Sequence, residues 1–419
     1  MIMMWSILLR EFIGDLKTQR LRAFLTFFAV AWGSLSVVLL LAFGEGLKLT
    51  IRDGLLGMGE KMFLISGGET STAFAGLPQG RRIQLAEADL ELLQRSIPDL
   101  DRGSLSYGRY GVAYQVEKLR TNEYLEGAGP DHESMRHLYA DDGGRFISQL
   151  DLEQKRRVIF LGNELAERLV GRGVKAVGRT VAVDGLPFVV VGVLKKKFQD
   201  SSNNGPDAQR GIIPYSTFRA IYGDRFVDQL LVQPRDISRA AIAKAEIYRV
   251  LGKKYRFDAS DERALSIWDF IAGEKENLAI GLGIQIFMGL VGAFTLLVAA
   301  VGVANIMYVV VKERTQEIGV KLALGARRRH IMAQFIFEGL SIALAGGLAG
   351  LLVALGIVFA ANQVPTDGNP AMKYLLSPTL SWPLVWLCLA TLVVVGLLAA
   401  ILPARRAAAV DPIESLRYE

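Results

Sequence analysis

Side chains able to do chemistry are sparse in this sequence, and their spacing argues against catalysis. Its three histidines are His132, His137 and His330. Asp131, His132, Glu133 and His137 could in principle bind a metal. They lack the H-E-x-x-H spacing that places two histidines on one helix face, and a solvated loop is the ordinary reading. Cys388 is the sole cysteine and lies in an apolar run, which excludes an internal disulfide and any cysteine zinc cluster. No G-x-x-x-x-G-K-[ST] occurs in the chain, so no loop to cradle ATP phosphates is expected here. Glu338 is the one charge in a long apolar run. A carboxylate in lipid is costly and suggests a proton relay, but its place near one end of the run suits snorkelling or pairing. No catalytic residue, cofactor or metal ligand is expected.

The elements around these residues explain why. Of the 419 residues 51% are hydrophobic, with a mean hydropathy of +0.30, and the apolar residues gather in four runs. Ala23 to Gly44 and Leu278 to Val311 carry no charge, Ile331 to Ala361 carries only Glu338, and the last run covers Leu380 to Pro403. About 20 apolar residues cross a hydrocarbon core of roughly 30 Å. The predicted spans are residues 21–47, 278–311, 331–361 and 380–403. The second is longer than a bilayer needs, so it must tilt or project into water. The first run starts too far into the chain for a cleaved signal peptide.

Lysine and arginine then assign sides. Arg10, Lys17, Arg20 and Arg22 precede the first span. Lys312, Arg314, Lys321 and Arg327 to Arg329 lie between the second and third, and Arg405, Arg406 and Arg417 follow the fourth. The link 362–379 has only Lys373. The net charge of +6 therefore reads as a topology signal rather than as a nucleic-acid footprint. Both termini and the link 312–330 are expected in the cytoplasm, with residues 48–277 and the loop 362–379 on the far side. Trp5, Leu8, Leu9, Phe12, Ile13 and Leu16 recur at helical spacing, so residues 1–20 read as an amphipathic helix on the membrane surface. Residues 404–419 form a cytoplasmic tail.

The fold class expected is a membrane protein of four transmembrane helices, with a two-lobed α+β domain inserted between the first and second. Strands are expected at Met62–Ile65, Gly111–Val116 continuing near Tyr124–Gly127, Arg157–Leu161, Thr180–Val183, Phe188–Val193, Gly211–Pro214 and Gln229–Gln233. Helices are expected at Leu85–Ser96, Glu164–Val170, Thr217–Tyr222 and Ile237–Leu251. Asp184-Gly185 reads as a hairpin turn. Gly67 to Gly80 reads as mobile and Lys195 to Arg210 as a loop. One lobe is placed near 131–223, and helix is expected from about Ile267.

After the second span the chain reads Val311-Lys-Glu-Arg-Thr-Gln-Glu-Ile-Gly-Val-Lys-Leu-Ala-Leu-Gly-Ala-Arg-Arg-Arg-His-Ile331. This run resembles the signature of MacB/FtsX-type ABC transporter permeases, and Leu402 to Arg417 resembles the closing motif of that family. Leu21–Gly33, Gly302–Met307, Gly144–Phe146, Val158–Gly162 and Phe188–Gly192 fit the same family. The resemblance covers nearly the whole chain. By composition alone Glu313 to Leu324 is helical, with Gly325 as a stop and Ala326 opening the next helix. Ile318, Val320, Leu322 and Leu324 leave it an apolar surface. The resemblance implies a coupling helix docking on an ABC ATPase, with Glu313, Arg314, Glu317, Ile318, Gly319, Leu322, Leu324, Gly325 and Ala326 as the coupling residues.

The resemblance further implies a non-catalytic permease subunit that transmits force, with ATP and magnesium held by a separate ATPase chain. A second permease, identical or related, would complete the unit within membrane lipid. In an export version a periplasmic adaptor and an outer-membrane channel would join it. Substrates in this family include drugs, peptides and toxins, and lipoprotein release is the alternative within it. A membrane receptor or scaffold without transport is the alternative outside it.

Overall fold

The computed structural model describes residues 20–199, 202–365 and 370–411. The amphipathic helix expected at 1–20 and the end of the closing motif therefore lie outside the described residues, apart from Arg20. The chain divides into two compact units, one from residues up to Ile51 with Ala279 onward, the other Arg52–Leu278.

Among the described residues, helices long and apolar enough to cross a membrane cover Phe24–Gly54, Phe270–Glu313, Arg328–Asn362 and Trp382–Ala408, and most of their length belongs to the first unit. The second has 44 residues, about 66 Å at 1.5 Å per residue, twice what a hydrocarbon core requires. Small residues set the packing. A Cβ at Gly346 would lie 2.9 Å from the Phe27 carbonyl oxygen, and one at Gly350 would collide with the Ala31 carbonyl. Ser34 Oγ donates 2.9 Å to the Gly347 carbonyl beside them. Gly396 and Ala343 meet on the other side, where a Cβ on the glycine would stand 2.8 Å from the alanine Cβ. The Gly346-x-x-x-Gly350 pattern thus seats the third span on the first within one chain, and Ala343 seats it on the fourth. The first two spans also share polar groups: Gln285 Nε2 donates 2.8 Å to Glu45 Oε2, and Lys48 Nζ lies 3.8 Å from the same carboxylate.

Gly350→Val should therefore destabilise the bundle by about 1–3 kcal/mol or more, because the intruding atoms meet backbone rather than a movable side chain. Gly356→Ala, where a Cβ meets nothing within 4 Å, serves as the control. Thermal unfolding in detergent should separate the two variants. Equal midpoints would refute the packing.

Among its described residues the second unit has nine strands: β1 Phe63–Gly67, β2 Leu100–Val116, β3 Leu119–Ala128, β4 Val158–Leu161, β5 Thr180–Val183, β6 Leu186–Val193, β7 Gly211–Pro214, β8 Gln229–Pro234 and β9 Leu265–Asp269. Six helices accompany them: α1 Glu87–Ser96, α2 His132–Met135, α3 Gln149–Glu153, α4 Asn163–Val170, α5 Tyr215–Tyr222 and α6 Ala240–Tyr255. β2 organises the rest. Leu100–Ser106 pairs antiparallel with β8 and Ser106–Val116 with β3, the latter pairing broken by a register shift between Arg109 and Val112 that contains Gly111 at φ +71°. β3 pairs with β7, β7 with β4, β4 with β6, β6 with β5, and β5 returns to β2 at Tyr114 and Gln115. These six strands close a ring, while β8, β1 and β9 extend from the open half of β2. Tyr107, Tyr114, Phe188 and Phe218 are among the buried side chains at its core.

The Asp184-Gly185 turn forms as expected, both residues having positive φ (46° and 81°). Four expectations need correction. The lobe placed near 131–223 does not hold the ring alone, because residues 106–128 supply two of its strands. β2 begins at Leu100, since β8 claims its backbone where side-chain alternation is weak. Ile267 lies in strand β9, paired with Ile65, and helix starts only at Phe270. The stretch 67–80 is tethered: the Asp261 carboxylate accepts from Ser71 N and Ser71 Oγ, both at 2.7 Å, and the stretch bridges back through Glu69 and Arg82.

Candidate functional site

The signature run forms an elbow. The second span ends at Glu313, and Arg314 leaves helical geometry at φ −96°, ψ 12°. A short helix, Thr315–Ala323, follows. Thr315 Oγ1 donates 2.8 Å to the Lys312 carbonyl, so the hydroxyl takes up an acceptor freed at the break. At the far end Gly325 sits at φ +92°, a left-handed position open to glycine. Its N–H donates 3.0 Å to the Leu322 carbonyl, and the Ala326 N–H donates 3.0 Å to the Lys321 carbonyl, the crossed pair of a Schellman stop. The third span then opens at Arg328, with Arg327 as its cap, two residues later than Ala326 was expected to open it.

The elbow helix has two faces at 100° per residue. Ile318 is 3% exposed and belongs to the same buried cluster as Val311, Ile331, Phe335 and Ala404. Leu322 and Ala326 pack against that cluster, and Gly319 is buried. On the opposite side Gln316, Glu317, Val320, Ala323 and Leu324 are exposed, Val320 at 41% and Leu324 at 84%. The expected single apolar surface is thus split. Ile318 and Leu322 anchor the helix, while Val320 and Leu324 face outward. Glu313 and Gly325 are exposed as well. Lys321 Nζ lies 3.0 Å from Glu317 Oε1, an i,i+4 pair holding the outward carboxylate. Arg314 lies 3.6 Å from Glu338, and both are largely covered. Glu338 is therefore paired, and the relay idea loses its motive.

Residues 23–250 match the MacB-like periplasmic core domain, and residues 289–412 match the FtsX-like permease C-terminal domain. The chain belongs to the MacB/FtsX family of ABC transporter permeases. It is 29% identical over 413 residues to the macrolide export ATP-binding/permease protein MacB of Wolinella succinogenes, covering 97% of this chain and 60% of that protein. It is 28% identical over 410 residues to the pyoverdine export ATP-binding/permease protein PvdT of Pseudomonas putida, covering 96% and 58%. The chain thus spans about three-fifths of the length of the curated relatives it matches. The periplasmic region of MacB from Actinobacillus actinomycetemcomitans aligns at 19% identity and a TM-score of 0.43, over 54% of this chain and 96% of that one. With four membrane-spanning helices and a periplasmic-type core domain between the first two, the chain is an inner-membrane protein of this permease family.

Sequence reading passed over a second constellation, in the inserted domain. The cluster expected to be a solvated loop is not one: His132 is fully buried, with Nδ1 2.9 Å from Ser104 Oγ and Nε2 3.2 Å from Glu126 Oε1. Glu126 Oε2 accepts from Arg210 Nη1 at 2.7 Å. Asp207 Oδ1 accepts from Arg136 Nη2 at 2.9 Å, and Lys197 Nζ lies 2.8 Å from Asp207 Oδ2. Burial pushes the Glu126 carboxyl up, but Arg210 and His132 more than reverse this and hold it well below its ordinary range. Asp207 is likewise lowered against its own burial, by Arg136, Arg210 and Lys197. No group of three or more metal-ligating side chains able to hold an ion occurs among the described residues. The network pins both ends of the loop 195–210 to α2 and β3.

Proposed function

We propose that this chain is the force-transmitting permease of an ABC exporter, and that an ABC ATPase docks on the outward face of the elbow helix. The observation that carries the reading is the division of that helix. Ile318 and Leu322 bind it to the span cluster, while Val320, Ala323 and Leu324 offer apolar contact to solvent beside Glu317 and Gln316. A helix fixed on one face and vacant on the other passes displacement to the spans it joins. The excess of lysine and arginine in 312–330 argues for the cytoplasmic side, where ATP is available. ATP and magnesium belong to the ATPase, and two permeases with two ATPases would form the working unit. The second span, about 66 Å long, has the reach to carry movement beyond the bilayer to the core domain. The names of the MacB and PvdT relatives speak for export; delivery of the compound from the periplasmic side, with an adaptor and an outer-membrane channel as further partners, is part of the proposal.

Co-purification tests the reading. The chain, expressed with a candidate ABC ATPase from the same genome, should retain that subunit through detergent extraction, and cysteine labelling should reach position 324 only from the cytoplasmic side. Labelling from outside intact cells, or loss of the ATPase under every mild detergent tried, would overturn it.

A further inference from the structure

The chain enters the inserted domain from the first span and leaves it into the second, so these two helices hold both of its ends. Within the first unit the first span has two unlike seams.

On one side it is locked. Besides the backbone contacts at Gly346 and Gly350, a Cβ at Gly46 would collide with the Ser377 carbonyl, in the link before the fourth span. Side chains on a helix lean toward its N-terminus, so the missing one at Gly46 uncovers the Ala42 carbonyl one turn earlier. The Thr379 N–H donates to that carbonyl at 2.9 Å. Asn362 Nδ2, at the end of the third span, donates 3.1 Å to the Pro378 carbonyl beside it. Between the third and fourth spans a Cβ at Gly339 would stand 2.8 Å from the Ala400 Cβ. The first, third and fourth spans and their link therefore form one block, in which much of the contact is backbone that cannot turn aside.

The second span meets this block differently. It presents Gly281, Gln285, Gly289 and Gly292 to the first span, the spacing of one helix face. Cβ atoms on these glycines would meet side-chain carbons: Lys48 Cγ at 3.1 Å, Leu41 Cδ2 at 3.9 Å and Val37 Cγ1 at 3.3 Å. Toward the third span it offers the flexible Met307, whose Cε lies 3.8 Å from a Cβ at Gly339. A glycine face has no ridge to lodge in a groove, and the side chains opposite it can turn. The polar contact is adjustable as well. The Gln285 amide donates to Glu45 and accepts from Lys48 Nζ at 3.4 Å, so it has a partner at either of two positions about a turn apart.

We propose that the seam between the first and second spans is the shear joint of the bundle. The second span slides past a block formed by the other three, and Gln285 moves between Glu45 and Lys48. Packed helices commonly switch by translations of about 1–2 Å. The joint rests on the proposed coupling to an ATPase. The elbow connects the second span to the third, and the third is tied to the first, so displacement at the elbow emerges at this seam. The two ends of the inserted domain are then drawn in opposite directions.

A disulfide across the seam tests the joint. A Cβ at Gly44 would lie 3.8 Å from the Met288 Cβ, and one at Gly292 3.6 Å from the Val37 Cβ, both within disulfide range. In a Cys388→Ala background, Gly44→Cys with Met288→Cys should oxidise at least about tenfold faster than Gly44→Cys with Gly283→Cys, because a Cβ at Gly283 meets nothing within 4 Å. Val37→Cys with Gly292→Cys is the second pair. Each chain is reconstituted in nanodiscs with its co-purified ABC ATPase. Oxidation should leave the ATPase bound and slow ATP turnover at least about tenfold, and dithiothreitol should restore turnover to within about twofold of Cys388→Ala. If neither pair oxidises faster than the control, the seam is overturned. With the ATPase retained, slowing of less than about tenfold in either fully oxidised pair, or a loss that dithiothreitol does not reverse, overturns the joint and leaves the coupling intact. If no ATPase is retained by any of the chains, the coupling fails and the joint falls with it.

Discussion

Asp207→Asn should destabilise the extracytoplasmic domain by about 3–5 kcal/mol, the usual result of removing one partner from a buried ionic network. The argument rests on what would be left behind. Arg136 and Arg210 are each about 1% exposed, and the Lys197 side chain is 16% exposed. All three converge on the Asp207 carboxylate. An amide there offers one weak acceptor to two buried guanidiniums and a partly covered ammonium, and Glu126 alone would have to balance them. Contrast the exposed pair Arg95–Glu91, where Glu91→Gln should cost less than about 0.5 kcal/mol. Hydrogen exchange of peptides covering β3 and β7 is the measurement, because those strands flank the network. A free-energy loss of this size raises opening of that region more than a hundredfold. Exchange within threefold of the parent chain would show that the network carries little stability.

The same groups set the acid limit. Glu126 and Asp207 have carboxyl values below those of the unfolded chain, and Asp151, held by Arg145 and Ser148 against its burial, stands at about 2. A depressed carboxyl contributes stability that is fully present above the unfolded value, near 4, and lost as pH falls through the folded value. The domain should therefore hold its stability down to about pH 4 and lose it progressively toward pH 2. In Asp207→Asn that acid loss should be smaller.

How much of this was legible depended on distance along the chain. The four spans follow from long apolar runs with at most one charge each, which a bilayer-crossing helix requires, and Asp184-Gly185 follows from a turn geometry few residues tolerate. The first half of β2, Asp101-Arg-Gly-Ser-Leu-Ser-Tyr-Gly-Arg109, shows no clean alternation. It is a strand because β8 and β3 both pair with it. The buried network was hidden for a related reason. Arg210 lies 84 residues from Glu126, and each member read alone is an ordinary surface charge. In the elbow the composition revealed a helix but not its orientation. Ile318, Val320, Leu322 and Leu324 recur at every second position, and on a helix such residues fall on two sides. Only packing against Phe335 and Ala404 decides which side is core.

That division yields the other large effect. Leu324→Glu should abolish ATPase docking while the chain still folds, whereas Ile318→Asp should prevent folding. Leu324 is 84% exposed, so a carboxylate there stays in water and costs the permease little. Buried against an ATPase surface the same carboxylate would be unpaired, a change worth about 2 kcal/mol or more at an interface centre and at least about thirtyfold in affinity. Ile318 is 3% exposed within the span cluster, and an aspartate there has no cationic partner among the described residues of that cluster. Detergent-solubilised yield and melting temperature report on folding, and ATPase retention on docking. A fold-neutral Leu324→Glu that keeps its ATPase would move the docking surface off this face. Val320→Glu, 41% exposed and one turn earlier, would then separate a displaced interface from none, since it shares the outward side but is more covered. The exposed Gln316→Ala should retain the ATPase within a few-fold, because truncating an amide at a polar rim removes little binding energy.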